Sequence, residues 1–285
     1  MHPKAQHYVP QFYLRSFAER RKKEFFVCCF DKATHKTFKP NVKNVANQTG
    51  FYDFISANGE KTSAESFFSD IETKTQGAIQ ALIENPKISV LSEHRNTFST
   101  FFALQESRTV VFRDVHNQMI AGANQRLRQN GILFPAPTDN DTKEFQALFL
   151  IDTSSMLASV LLEMRWILVA NKTNKPFWTS DNPIIRYNPH KSEFIDNLGL
   201  KSRGIQLHIP ISPWLAIIIC DPNEYAHMNT ETFAEPPNVD FNNSGQVLES
   251  RQYIFSVDND FSLAQEMINK TPELSNPNRS KVIVQ

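Results

Sequence analysis

An arginine set into an aromatic stripe demands an anion. Phe98, Phe101, Phe102, Gln105, Arg108 and Phe112 recur at the spacing of one α-helical face. A guanidinium keeps its charge in a protein, so burying Arg108 requires a carboxylate or phosphate partner. A second polar set lies in HYVPQFYLRSFA, residues 7–18, where Pro10 suits the first helical position. On such a helix Gln11, Arg15 and Glu19 stack one turn apart, either as a solvated stripe with an Arg15–Glu19 pair or as part of a site. A third set is Ser180-Asp181-Asn182-Pro183, a turn following the short apolar run FWTS. Ser180 and Asp181 could serve as nucleophile and base, while capping of the turn is the commoner use of these residue types. Glu65 and Glu72 line one edge of a helix and are the nearest acids in sequence terms to meet Arg15 or Arg108.

The elements that must position these residues are readable in outline. Residues 63–85 form an amphipathic helix with Ser63 as N-cap and Phe67, Phe68, Ile71, Ala78 and Leu82 inward. The aromatic stripe belongs to a helix over 93–128, and 141–164 is apolar nearly all round, the pattern of a central buried helix. EFFVCCF and TFKP read as strands, with Lys43 and Asn44 as polar markers in the loop and strand that follow. From Arg165 short β-branched runs alternate with Pro, Asn, Asp and Gly, the texture of an antiparallel sheet. The whole predicts one α+β domain, helices covering a mostly antiparallel mixed sheet. Residues 7–165 form its mainly helical part with a small hairpin, 166–257 its β-rich part, and 258–285 a last helix and tail.

Composition narrows the function classes. The 285 residues carry 30 basic and 30 acidic side chains, so formal net charge is zero, which argues against the wide electrostatic footprint of a non-specific DNA binder. A local patch such as RRKK at 20–23 remains available. There are 23 Phe against 8 Gly, and aromatic packing should carry much of the stability. Cys28, Cys29 and Cys220 form neither a disulfide framework nor a zinc pattern and read as buried thiols. No signal-peptide core or run of membrane-span length stands out, so a cytosolic protein without a membrane partner is expected. No H-x-x-x-H, C-x-x-C or HNH-like pattern points to a metal, no P-loop is present, and nothing assigns a cofactor.

Taken together, HYVPQFYLRSFA, VKNVANQTGFY, the Gln105–Arg108 pair, TSDNP and IPISP resemble the microbial family known as domain of unknown function 4238, whose members begin H-x-V-P-Q-x-Y-L-R-x-F. The resemblance covers residue 7 to about 257 and implies a single family domain. By motif position it marks His7, Gln11, Arg15, Lys43, Asn44, Gln105, Arg108, Asp181, Asn182 and Pro183. Three functions then compete. In a phosphodiester-cleaving, nuclease-like hydrolase, His7 would be acid or base. Arg15, Arg108 and Lys43 would stabilise charge, and Gln11, Gln105, Asn44 and Asn182 would orient a nucleic acid or nucleotide. A non-catalytic module would use the same residues to hold a nucleotide or other anion. In a structural network, Arg15 and Arg108 would pair with Glu65 and Glu72. The functional readings require the N-terminal helix to bring Gln11 and Arg15 onto one cavity with Arg108 and the Asp181–Asn182 turn.

Overall fold

The fold is drawn from a computed structural model that describes residues 5–190 and 198–280. Ala5–His7 pairs antiparallel with Asn47–Thr49, setting His7 opposite Asn47. Pro10 then N-caps a single-turn helix, α1 (Gln11–Arg15), which buries Phe12, Tyr13 and Leu14. Because α1 ends at Arg15, the expected Arg15–Glu19 stacking is lost. Glu19 instead opens a hairpin, Glu19–Arg21 against Glu24–Phe26, which carries the RRKK run. Cys28–Asp31 follows, inside a four-stranded sheet ordered Thr179–Ser180, Tyr253–Ser256, Cys28–Asp31 and Lys36–Phe38. All three cysteines are buried thiols.

Five helices follow in sequence: α2 (Glu65–Glu84), α3 (Ile88–Glu93), α4 (Arg95–Ser107), α5 (Val110–Gln129) and α6 (Asp139–Glu163). The continuous helix expected over 93–128 is broken. Arg108 caps α4, and the Thr109 hydroxyl accepts the Phe112 N–H at 3.2 Å to start α5. Phe112 therefore leaves the stripe and packs on Phe145 and Phe149 of α6. The N-cap of α2 is Ala64, and Phe67 turns outward at 38 % exposure, since the buried face runs through Phe68, Ala78 and Leu82. Nor is α6 central. It buries Gln146, Ala147, Leu150, Ala158 and Leu161 while Leu148, Ile151 and Met156 stay exposed. By length and composition alone α6 could cross a membrane, with a mean hydropathy of 1.6 over its most apolar window, so the expectation that no stretch reaches that length does not hold.

The β-rich part builds a five-stranded sheet in the order Ile185–Tyr187, Gln206–Ser212, Leu215–Cys220, Arg165–Asn171 and Glu231–Ala234. All its pairings are antiparallel except the last, which is parallel. Helix α7 (Pro236–Glu249) was not foreseen; Pro sits at its start and Glu235 forms a capping box with Asn238. Helix α8 (Ser262–Lys270) comes last. The fold is α+β and mostly antiparallel, although the strands of the described residues divide among five sheets rather than one.

The aromatic residues join these layers. Phe98, Phe101 and Phe102 of α4 are essentially fully buried against Phe12, Tyr13 and Trp166. Each such side chain contributes about 2–3 kcal/mol by burial. The Tyr13 hydroxyl bonds Thr179 Oγ1 at 3.0 Å and the Pro210 carbonyl at 2.5 Å, tying α1 to both large sheets.

One buried base makes the fold sensitive to acid. The His208 ring lies in the five-stranded sheet, with Nε2 2.9 Å from Gln206 Oε1 and Nδ1 unpartnered. Burial lowers its pKa from 6.5 to about 4. Below pH 6.5 the unfolded chain takes up a proton that the folded chain refuses, so stability falls as pH drops towards 4. The shift is worth roughly 3 kcal/mol once both states are protonated. Urea unfolding at pH 7 and pH 4.5 should show a smaller loss for His208→Gln than for the natural chain; equal losses would refute this assignment.

Candidate functional site

Arg108 stands in the gap between α4 and α5 and is 2 % exposed. Its Nη1 meets Glu72 Oε1 at 2.8 Å, Nε donates to the Tyr52 hydroxyl at 3.1 Å, and Nη2 donates to the His7 carbonyl at 2.9 Å. The guanidinium also lies over the Phe68 ring, 4.4 Å from its centre. Burial would lower its pKa, but Tyr52 and Glu72 outweigh that and raise it. Each nitrogen of this cation thus has a protein partner. Glu65 takes no part in it: its carboxylate receives Gln6 Nε2 at 3.2 Å, because Gln6 lies between the Asp53–Ile55 hairpin and the start of α2.

His7 lies above this pair. Its ring is half-buried against the Val42 and Lys43 carbonyls, and Asn47 Nδ2 is 3.5 Å from Nε2. Burial lowers its pKa and Arg108 adds to the lowering, while the two carbonyls and Glu72 pull it partly back. His7 is thus a neutral imidazole at pH 7. The loop beneath it is strained: Ala46 has φ of 50°, and its carbonyl accepts the Tyr8 N–H at 2.9 Å. Lys43 and Asn44 are exposed on this loop, Lys43 paired with Glu24 at 2.8 Å.

The remaining residues do not join His7 and Arg108 in one cavity. Arg15 is exposed and lies over the Phe25 ring at 5.3 Å, sharing no partner with Arg108. Gln11 is partly exposed on the same helix. Gln105 is buried, giving Nε2 to the Tyr8 carbonyl at 3.0 Å and leaving Oε1 unpartnered. Asp181 is 3 % exposed, and its carboxylate accepts the N–H groups of Arg251, Gln252 and Tyr253 at 2.7, 2.7 and 2.8 Å. A carboxylate holding three backbone amides is a clamp on the chain entering Tyr253–Ser256. Ser180 Oγ is likewise held by Gln246 at 2.6 Å, and Asn182 Nδ2 donates to the Glu249 carbonyl at 3.3 Å.

Sequence reading missed the cations that serve the same purpose elsewhere. Lys32 is fully buried and donates to the Val247 and Ser250 carbonyls; Arg279 reaches Leu248 and Ser250. Both meet the negative end of the α7 dipole. Two Asp-x-Asp stretches serve caps: Asp141 boxes with Thr138, and Asp258 and Asp260 brace the turn before α8. Among the described residues no group of three or more His, Cys, Asp or Glu is placed to hold a metal.

Asp181→Asn keeps the shape but replaces a charged acceptor by an amide. It should lower unfolding free energy by roughly 2 kcal/mol in urea titration. Unchanged stability would contradict the clamp role.

No curated protein and no solved structure matches the chain. One family does, described as "Protein of unknown function (DUF4238)", over residues 5–260. The match takes in the His7 strand, the Arg108 break, the Asp181 clamp and the strand it anchors, and by that extent the chain belongs to this family.

Proposed function

We propose that the protein binds a phosphodiester polyanion, a single-stranded nucleic acid, on the face made by α1 and the Glu19–Phe26 hairpin. The observation that carries this reading is the layering of arginine on phenylalanine. Arg15 and Arg20 both lie over the Phe25 ring, at 5.3 and 6.0 Å, and Arg21 lies over Phe26 at 5.5 Å. Guanidinium groups set beside aromatic rings offer charge for phosphates and planar surfaces for bases. Lys22 and Lys23 form the exposed turn, and Lys39 and Lys43 flank it. Glu19 and Glu24 are the acids of the hairpin, and each is already engaged by a cation. Arg21 and Lys39 hold Glu19 down at about 2, so it stays ionised and paired. In a chain of zero net charge, this concentration of cations is local.

A second reading, that the bound strand is cut with His7 as general base, rests on that neutral imidazole at the edge of the face. Arg108 and Asp181 stand outside it, since both are buried and engaged by protein groups. Incubation with RNA and plasmid DNA, with and without divalent metal, tests it: cleavage lost in His7→Ala supports the reading, and no cleavage rejects it.

Binding is measured by fluorescence anisotropy with a labelled single-stranded oligonucleotide across a salt series. Neutralising four phosphates gives a slope of log affinity against log salt of about −3. The double variant Arg20→Glu, Arg21→Glu should weaken binding by more than tenfold with the melting temperature unchanged. Salt-independent binding, or affinity indifferent to this change, would refute the proposal.

A further inference from the structure

A pocket of about 300 Å³ opens between α3, the start of α4 and the start of the Arg165–Asn171 strand, apart from the α1 face. Ile88, Leu91, Ser92 and Arg95 present one side of it at helical spacing, and Met164, Arg165 and Trp166 the other, with Thr230 at the rim. Its volume lies at the lower end of the range for small-molecule sites.

Two arginines line it without an acid. Arg95 gives Nη2 to the Leu162 and Met164 carbonyls at 2.8 and 2.6 Å, closing the end of α6, and lies 5.3 Å from the Trp166 ring. Arg165 gives Nη2 to the Met228 carbonyl. The Nε of each is buried without a partner. The ion pairs of the described chain use other arginines: 21, 108, 186, 203 and 251. The nearby Glu231 carboxylate accepts the Ile88 N–H at 2.5 Å at the head of α3. Two arginines that form no ion pair among the described residues, sharing a cavity with apolar walls, favour an anion within it.

We infer that this pocket binds a small phosphorylated molecule. A phosphate dianion matches two positive charges and offers oxygens to both guanidinium forks and to the Ser92 and Thr230 hydroxyls. A carboxylate balances half the charge with fewer oxygens. Ile88, Leu91 and Trp166 supply an apolar wall for the organic part of the ligand. The site is separate from the α1 face, and its test does not depend on nucleic-acid binding.

Isothermal titration of the full chain with inorganic phosphate, against acetate as the competing chemistry, decides the matter. Saturable phosphate binding at one site is expected, at least tenfold tighter than acetate. Arg165→Gln should weaken it at least tenfold, and Ser92→Trp, which fills the pocket from an exposed helical position and touches neither guanidinium's carbonyl partners, should abolish it. Arg15→Gln on the α1 face should leave it unchanged. If Arg165→Gln does not fold, Ser92→Trp carries the test. Absence of saturable phosphate binding, retention of full affinity in Ser92→Trp, equal affinity for acetate, or loss in Arg15→Gln would each overturn the assignment.

Discussion

The fold depends on a charge that cannot be switched off. Arg108 stays ionised whatever its surroundings, and it is nearly inaccessible to water. Glu72 on α2, the Tyr52 hydroxyl, the His7 carbonyl and the Phe68 ring are therefore fixed relative to one another. Those groups come from α2, the N-terminal strand and the loop before the second hairpin. A single side chain thus locks the N-terminal motif onto the helical layer and marks the point where α4 gives way to α5. Such a buried pair gives little net stability compared with an apolar filling, but removing one partner leaves the others unsatisfied.

The same logic recurs around α7 with both signs of charge. Asp181 gathers three backbone amides, while Lys32 and Arg279 gather the carbonyls that end α7. Gln246 and Asn243 then join α7 to the Ser180–Pro183 turn and to the chain around Trp178. Polar residues that look catalytic in one dimension are here the struts between elements. Of the residues singled out from the sequence, His7 is partly open to solvent and Arg15, Lys43 and Asn44 are exposed.

Legibility in the sequence followed the range of the deciding interaction. Helix α2 declares itself through apolar periodicity and α6 through a long apolar run, and Arg108's need for a carboxylate follows from residue type, with Glu72 meeting it. The break at Arg108–Thr109 did not show, because the choice between continuing a helix and capping a new one rests on a single hydroxyl and on the tertiary partners of Arg108. Helix α7 was hidden by its asparagines, poor helix formers, of which Asn243 is satisfied by distant groups, the Trp178 N–H and the Pro176 carbonyl. The Asp181 clamp closes on amides about seventy residues further along the chain, a distance no local pattern encodes. The shared packing of Arg15 and Arg20 did not show, because their common ring, Phe25, becomes a partner only once the hairpin forms.

The central claim is that Arg108 and Glu72 hold the fold and are not part of a reacting site. A double-mutant cycle with Arg108→Met and Glu72→Gln, read by urea unfolding alongside oligonucleotide binding, addresses it most directly. The account predicts that Arg108→Met costs roughly 3 kcal/mol, that the two changes couple by about 1 kcal/mol or more, and that oligonucleotide affinity is retained while the protein is folded. Unchanged stability in Arg108→Met, with oligonucleotide binding or cleavage abolished, would contradict it.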